Sequence, residues 1–198
     1  MVHRRVLLSL FVVAAPGAAV GFVARVHAPF IGFARLSNSA VACASGDGML
    51  FRTGKPKDAG LISATMLRMK MNPLGINHER FLVATDSGGA TLGFGQIRNL
   101  GDRGDLFELA SLYVQEDQRG RGVGTELVRR LLTAHEAAGR SLGALFLLTL
   151  EPTTPFYEAL GFRVADANEV PKEMALEVAA GTALSFVLGN KLVCMRHA

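Results

Sequence analysis

The sequence is poor in the residues that stabilise small extracellular or metal-dependent domains. Its 198 residues include no Trp and only two cysteines, Cys43 and Cys194. Two cysteines do not make a disulfide framework, which fits a reducing compartment. No group of His, Cys, Asp and Glu has the spacing of metal ligands, so the sequence predicts no metal site. We expect Cys194, in a late apolar strand, to be a core residue rather than a nucleophile.

Acidic residues are absent from the first 46 positions, which carry four arginines; the first acid is Asp47. The remaining residues, 47–198, hold 17 basic and 17 acidic side chains and are formally neutral. The pI of about 9.4 therefore comes from the N-terminal segment. No basic face is needed to explain it, and we expect no nucleic-acid partner.

A long apolar run is also lacking. Residues 6–15 (VLLSLFVVAA) form a run of ten that Pro16 and Gly17 interrupt, whereas a membrane span needs about 20 apolar residues. Residues 1–21 have the layout of a signal peptide, and residues 22–46 resemble a transit peptide. The two together resemble the bipartite presequence of proteins sent to complex plastids. A mitochondrial or simple plastid leader, a membrane anchor and ordinary secretion are the alternatives.

Residues 47–198 read as one domain without internal repeats or linkers, and we expect no stable membrane insertion of this part. Apolar periodicity and turn residues predict an alternation of strands and helices. The predicted strands are 49–53, 80–85, 91–98, 106–114, 144–150, 162–164 and 191–196. The predicted helices are 57–71, 122–138, 155–160 and 174–188. The fold class is therefore α/β (α+β mixed).

A glycine-rich turn links the fourth strand to the second helix. Gly120, Gly122 and Gly124 permit positive φ and close approach of a ligand to the backbone. The free N–H groups and dipole of the helix start favour an anion such as pyrophosphate, and Arg119 and Arg121 add charge. A glycine-rich helix start without a ligand is the alternative. The spacing is neither that of a P-loop nor that of a Rossmann fingerprint.

Two motifs in this order resemble the GNAT acetyltransferases. Residues 119–124 (RGRGVG) match R/Q-x-x-G-x-G/A between a strand and a helix, and residues 155–162 (PFYEALGF) look like F-Y-x-x-x-G-F. The similarity covers about residues 49–198. The stretches MNPLGINHERFLVA, GFGQIRN and ELASLYV look closest to plastid and cyanobacterial members.

The resemblance implies a GNAT fold, with a central, mostly antiparallel twisted sheet splayed between the fourth and fifth strands and helices on both faces. It implies acetyl-CoA as acetyl donor, with its pantetheine arm along the backbone of Leu112, Tyr113 and Val114. The residues implied to hold the pyrophosphate are Arg119, Gly120, Arg121, Gly122, Val123, Gly124 and Thr125.

Two side chains are candidate catalysts of direct acetyl transfer to an amine. Glu108, an acid in an apolar strand, is the candidate base, and strand alternation puts Ala110 and Leu112 on its face. A solvated Glu108, or one paired with a surface base, is the alternative. Tyr157 is the candidate general acid for the leaving thiolate; the alternative is a core aromatic with a polar tip.

Other residues depart from the family pattern or suggest little chemistry. The family often has an Asn near Glu151 that helps to hold the cofactor; none is present here, although Thr153 or Thr154 could substitute. His78 and His135 are lone histidines, expected on the surface or on a helix face.

The resemblance implies an enzyme that acetylates a protein N-terminal α-amine, a lysine, or both. A small-amine acetyltransferase (arylalkylamine or polyamine) and a non-catalytic acetyl-CoA-binding module are the alternatives. The acceptor and the oligomeric state are not encoded in any pattern that we can interpret.

Overall fold

The computed structural model describes residues 48–69, 76–100, 103–175, 178 and 191–198. Within these residues, seven strands form one sheet in the order β1-β2-β3-β4-β5-β7-β6. The strands are β1 (Leu50–Thr53), β2 (Phe81–Thr85), β3 (Thr91–Asn99), β4 (Phe107–Val114), β5 (Leu145–Leu150), β6 (Phe162–Val164) and β7 (Leu192–His197). All seven predicted strands are present, with ends shifted by one residue at most.

Every neighbouring pair in the sheet is antiparallel except β4 and β5, which are parallel. A parallel pair needs a crossover connection, and the second helix of the chain supplies it. The mostly antiparallel mixed sheet, with helices on both faces, confirms the predicted mixed α/β fold class.

Three helices are described: α1 (Asp58–Arg68), α2 (Val123–Ala137) and α3 (Thr154–Glu158). The predicted helix over 174–188 lies mostly outside the described residues. The described residues in and just before this range, 172–175 and 178, are helical. The other three predicted helices are confirmed; α1 and α2 are shorter at both ends, and α3 begins one residue earlier and ends two residues earlier than predicted.

The helices α1 and α2 lie on opposite faces of the sheet, called here the α1 face and the α2 face. Ile62 and Met66 of α1 pack with Phe81, Val83 and Phe94. The alternate strand residues pack with α2, because successive side chains of a strand point to opposite faces. These α2-face residues include Leu82, Ala84, Ile97, Leu109, Leu145 and Leu147.

Helix α2 buries the stripe that its sequence spacing predicts. All six periodic residues are buried: Val123, Leu127, Val128, Leu131, Leu132 and His135. The exposed and half-exposed positions of the helix carry its charges. Burial of this apolar stripe orients the helix, so the glycine-rich turn before it lies at the end of β4.

An ion pair fixes the start of α1 to the sheet. The Asp58 carboxylate accepts hydrogen bonds from Arg52 at 2.6 and 3.0 Å and from the backbone N–H of Lys55 at 2.6 Å. The Arg52 hydrogen bond is the main reason why the pKa of Asp58 lies below its ordinary value. Arg52 lies in β1, at the edge of the sheet far from β5.

A bulge interrupts β4 at Ser111. Its φ is 56°, and the β3–β4 register shifts between Phe94 and Gln96. The bulge exchanges the faces of the residues that follow it. Leu112 therefore packs against the α2-face core together with Leu109, and the expectation that Leu112 shares the face of Glu108 is wrong.

Candidate active site

The strands β4 and β5 separate soon after they meet. Their pairing consists of Phe107 with Leu145 and Glu108 with Phe146, although β4 continues to Val114 and β5 to Leu150. β3 covers the other edge of β4, and β7 covers the other edge of β5. Two strand edges therefore face each other across a widening gap whose apex is at Glu108 and Phe146.

The end of β4 presents backbone groups to this gap. The N–H of Gln115 donates to the carbonyl of Leu92 in the β3 segment at 2.9 Å. Because backbone groups alternate in direction along a strand, the N–H and C=O of Val114 and Leu112 point away from β3, toward the gap.

Of the three residues predicted to line the pantetheine arm, Tyr113 differs from its neighbours. A Cβ added to Gly93 would lie 2.6 Å from the carbonyl oxygen of Tyr113, so this carbonyl faces β3. Its side chain is buried in the α1-face core, and its hydroxyl accepts a hydrogen bond from Arg68 at 2.7 Å. Tyr113 thus connects the end of α1 to β4.

Glycine suits the three positions of the turn for different structural reasons. Gly120 and Gly122 have φ of +75° and +80°, a region that L side chains rarely adopt. Gly124 has ordinary helical geometry, but a Cβ there would lie 3.4 Å from Val114 and 3.5 Å from Phe156. Gly124 therefore lies where α2 comes near the end of β4 and α3, with room for a methyl group at ordinary contact distance.

The start of α2 offers unused backbone donors. Gly122 is its N-cap residue, no side chain caps the helix, and its first bond runs from the Glu126 N–H to the Gly122 carbonyl at 3.0 Å. The N–H groups of Val123, Gly124 and Thr125 precede that bond and point outward from the helix end. This arrangement, with the helix dipole, suits a phosphate group.

The two arginines of the turn are exposed and held by neighbouring oxygens. The Nε of Arg119 donates to the Val114 carbonyl at 3.3 Å, and Nη1 of Arg121 donates to Gln118 at 2.6 Å. Arg119 is thus oriented by a carbonyl on the gap side of β4. Its free guanidinium nitrogens could contact an anion bound at the helix start.

Tyr157 in α3 lies on the α2 face, against the core that α2 covers. Its ring meets Phe156 and Phe162 edge-on, with centroids 4.9 and 6.1 Å away. Burial raises the pKa of Tyr157 to about 12, an effect partly offset by a hydrogen bond with Thr149. The phenol therefore remains protonated at any physiological pH.

The threonines of the β5–α3 turn are engaged within the turn. The hydroxyl of Thr153 donates to the Leu150 carbonyl at 2.6 Å, and the hydroxyl of Thr154 donates to the Glu151 carbonyl at 2.9 Å. Each hydroxyl has one proton to donate. In this conformation, therefore, neither threonine has a hydroxyl proton left to donate to a cofactor.

Glu108 lies on the α1 face, opposite to Tyr157, and only 1% of its side chain is exposed. Arg98 of β3, its cross-strand partner, donates to Oε2 from Nε at 2.7 Å and from Nη2 at 2.6 Å. Oε1 is buried and has no hydrogen-bond partner within the described residues. Glu108 is therefore paired with a basic side chain, as one of the alternatives held, and its carboxylate is buried rather than solvated.

Two neighbours of the candidate catalysts were missed from the sequence. Arg98 needed the β3–β4 register, which hydrophobic alternation does not supply. Thr149 had a weak signal, as the polar residue of the otherwise apolar run LFLLTL.

The other titratable residues considered from the sequence, one cysteine and two histidines, lie outside the gap. Cys194 is buried, which confirms it as a core residue, and burial with the nearby charge of Glu108 raises its pKa to about 12. His135 is buried on the inner face of α2 against the ring of Phe107, and desolvation lowers its pKa. His78 lies half-exposed in a short 3-10 turn.

A cavity of about 240 Å³ lies beside the turn, lined by Met49, Asp86, Leu92 and Arg121 among others. These residues belong to the segment just before β1, the β2–β3 hairpin and the turn, so the cavity lies on the side of β4 away from the gap. Across the described ranges there is no group of three or more potential metal ligands, nor a helix long and apolar enough to cross a membrane.

Comparison with known proteins gives a family match over the central part of the chain. Residues 77–164, from the turn before β2 through β6, match the model of the acetyltransferase (GNAT) domain. An uncharacterized N-acetyltransferase of Schizosaccharomyces pombe is 33% identical over 105 residues, which are 51% of this chain and 64% of that protein. The chain thus spans less than two thirds of the length of this relative.

Solved structures share the fold at low sequence identity. Rv2747 of Mycobacterium tuberculosis, in complex with CoA and NLQ, superposes with a TM-score of 0.56 at 24% identity, covering 74% of this chain and 98% of that one. N-acetylglutamate synthase of Neisseria gonorrhoeae, complexed with CoA and L-arginine, gives 0.56 at 18% identity, covering 75% of this chain and 33% of that one. The match of residues 77–164 to the acetyltransferase (GNAT) domain model agrees with the splayed sheet and with the fold that these structures share.

Proposed function

We propose that this protein is an N-acetyltransferase that transfers acetyl from acetyl-CoA directly to a primary amine. The observation that carries the proposal is the gap between β4 and β5, open from the glycine turn to an apex at Glu108. One end of the gap offers anion-binding amides, and its two faces hold a carboxylate and a phenol. A binding module would need only the first of these features.

Acetyl-CoA would bind by its pyrophosphate and its amide-containing arm. The N–H groups at the start of α2, with Arg119 and Arg121 nearby, suit the pyrophosphate. The backbone groups of Leu112 and Val114 would hydrogen-bond the pantetheine arm as an added strand. CoA is present in the gonococcal and mycobacterial structures of similar fold, which supports this ligand class.

The chemistry requires a neutral amine. A lysine amine titrates near about 10.4 and an α-amine near about 7.7 to 8.0, so a base assists either. The amine nitrogen attacks the thioester carbonyl carbon, forming a C–N bond; the C–S bond then breaks as the tetrahedral intermediate collapses. The proton lost by nitrogen goes to Glu108, directly or through water, and the products are the acetamide and CoA thiol.

Tyr157 is better suited to donate a hydrogen bond than to give up its proton. A phenol of pKa about 12 is a weaker acid than a thiol of pKa about 8.5 by roughly three orders of magnitude. Full proton transfer from Tyr157 to the thiolate is therefore uphill. We propose that its O–H stabilises the developing thiolate while solvent supplies the final proton.

We propose a protein N-terminal α-amine or a lysine as the acceptor, with small amines as the second candidate. The support is the resemblance of the stretches MNPLGINHERFLVA, GFGQIRN and ELASLYV to plastid-type GNAT sequences. The similar structures carry different small molecules, L-arginine in one and NLQ in another, and at their low identity they speak for the fold alone. The acceptor therefore has to be found by experiment.

The test incubates the purified full chain with acetyl-CoA, peptides with free N-termini and internal lysines, and a set of arylalkylamines and polyamines. Tandem mass spectrometry locates the acetyl group, and calorimetry on the same sample measures acetyl-CoA binding. Peptide acetylation above a no-enzyme control supports the protein-acceptor proposal, and acetylation of small amines alone supports the second candidate. Binding without any transfer would leave a non-catalytic acetyl-CoA module and refute the enzyme.

We also propose a plastid location, on the sequence pattern of residues 1–46 alone. Fusion of residues 1–46 to a fluorescent protein in an alga with complex plastids tests this. Plastid fluorescence with removal of the leader supports it, and mitochondrial or secreted fluorescence contradicts it.

A further inference from the structure

The Glu108 carboxylate is held through one of its two oxygens. Both contacting nitrogens of Arg98, Nε and Nη2, meet the same oxygen, Oε2, at 2.7 and 2.6 Å. The other oxygen, Oε1, is shielded from solvent and has no partner within the described part of the chain. A buried acceptor without a donor is costly, and one N–H or one water molecule would satisfy it.

The position of this oxygen in the fold connects it with the proposed chemistry. Glu108 is the last β4 residue that pairs with β5, so it stands at the apex of the gap. Its neighbour on the same face, two residues along, is the small Ala110, and the bulge at Ser111 follows. The acetyl end of a molecule lying along β4 would reach this apex.

We propose that Arg98 is a positioning residue for acetyl transfer, an inference that rests on the proposed function. Its two N–H groups occupy Oε2 of Glu108 and leave Oε1 as the oxygen that accepts the amine proton, directly or through one water. An arginine remains charged throughout. Its planar guanidinium presents two donors in a fixed geometry, which the single flexible ammonium of a lysine cannot reproduce.

A structural ion pair between β3 and β4 is the competing explanation, and the chain provides a matched control. Arg52 and Asp58 form a similar pair at the sheet edge, with 24% and 7% of the side chains exposed against 27% and 1% for Arg98 and Glu108. A pair that only stabilises the fold should behave alike at both places. A positioning pair should affect turnover only at Arg98.

The experiment measures kcat, and KM for acetyl-CoA, in the full chain with the amine found above. The variants are Arg98→Met, Arg98→Lys, Glu108→Gln, the double variant of Arg98→Met with Glu108→Gln, and Arg52→Met. We expect Arg98→Met to lower kcat by on the order of 10- to 100-fold and Glu108→Gln by about 100-fold or more. KM for acetyl-CoA should stay within about twofold, Arg98→Lys should recover part of kcat, and Arg52→Met should retain kcat within about twofold.

The double variant decides the matter. If Arg98 acts through Glu108, the double variant is no slower than Glu108→Gln, because nothing remains to be positioned. The inference would be overturned if the loss of kcat in the double variant equalled the product of the two single losses. Equal kcat losses in Arg98→Met and Arg52→Met would also overturn it. If Arg98→Met does not fold, the same cycle with Arg98→Lys gives the answer. A wild-type protein that acetylates no amine overturns the proposed function and this inference together, whereas multiplied losses in an active enzyme overturn this inference alone.

Discussion

Gly122 and Gly124 are two residues apart, and the structure predicts opposite results when each is replaced by alanine. Gly122, the N-cap of α2, has φ of +80°, and no atom lies within 4 Å of an added Cβ. The cost of Gly122→Ala is therefore backbone strain without a clash, about 1–2 kcal/mol for a left-handed residue. In a domain of this size, 1 kcal/mol changes Tm by roughly 2–4 °C, so we expect a Tm lower by about 2–8 °C.

Gly124→Ala should be mild. Its Cβ would meet Val114 at 3.4 Å and Phe156 at 3.5 and 3.7 Å, all ordinary van der Waals distances. Alanine is also favoured over glycine within a helix by about 0.5–1 kcal/mol. We therefore expect an unchanged or slightly higher Tm in this variant, which serves as the matched control for the neighbouring substitution.

The same two variants test the anion site. If strain at Gly122 turns the first amides of α2 away from the ligand, a loss of about 1.4 kcal/mol weakens acetyl-CoA binding about tenfold. Differential scanning fluorimetry gives Tm, and isothermal titration calorimetry gives Kd. Equal Tm and equal Kd in both variants would refute the reasoning, and so would a larger loss of affinity in Gly124→Ala.

Three further predictions concern single side chains. Tyr157→Phe should lower kcat by on the order of 10- to 100-fold; because the pKa of Tyr157 is about 12, wild-type kcat should show no fall from loss of this proton below pH 10, as a pH–rate profile can check. Arg119→Ala should raise KM for acetyl-CoA with little change in kcat, since its guanidinium lies by the turn rather than at the apex; equal losses in kcat and kcat/KM would contradict this. Burial lowers the pKa of His135 from its ordinary value of 6.5, so as the pH falls through 6.5 the unfolded chain binds this proton more readily than the folded chain. Stability should fall by up to about 1.4 kcal/mol per pH unit there, and His135→Gln should flatten that dependence in urea titrations between pH 5 and 7.

Local sequence patterns predicted the parts of the fold that local forces determine. The apolar spacing of α2 predicted its six buried residues because a helix repeats its face at a fixed period. The nearly continuous apolar run of β5 is typical of a strand covered on both faces, and its first four residues are buried. The glycines at 120 and 122 indicated positive φ, which the structure confirms.

The predictions that failed concern features that depend on the pairing between strands. Serine has no strong preference for φ of 56°, so the bulge at Ser111 left no local signal. Uninterrupted alternation then placed Leu112 on the wrong face. The partner of Glu108 could not be predicted either, because Arg98 meets it only through the register of β3 against β4.

The two candidate catalysts lie on opposite faces of the sheet, on either side of the gap between β4 and β5. Strand pairing closes a sheet to any molecule that must pass from one face to the other. Here the pairing of β4 with β5 ends at Glu108, whose side chain lies on the α1 face, while Tyr157 lies on the α2 face beyond the opening. A thioester held in the gap could meet an amine and its base from one face and a hydrogen-bond donor for its sulfur from the other. The attacking and leaving groups would then be separated by the sheet itself, which suits a direct transfer in which both must be present at once.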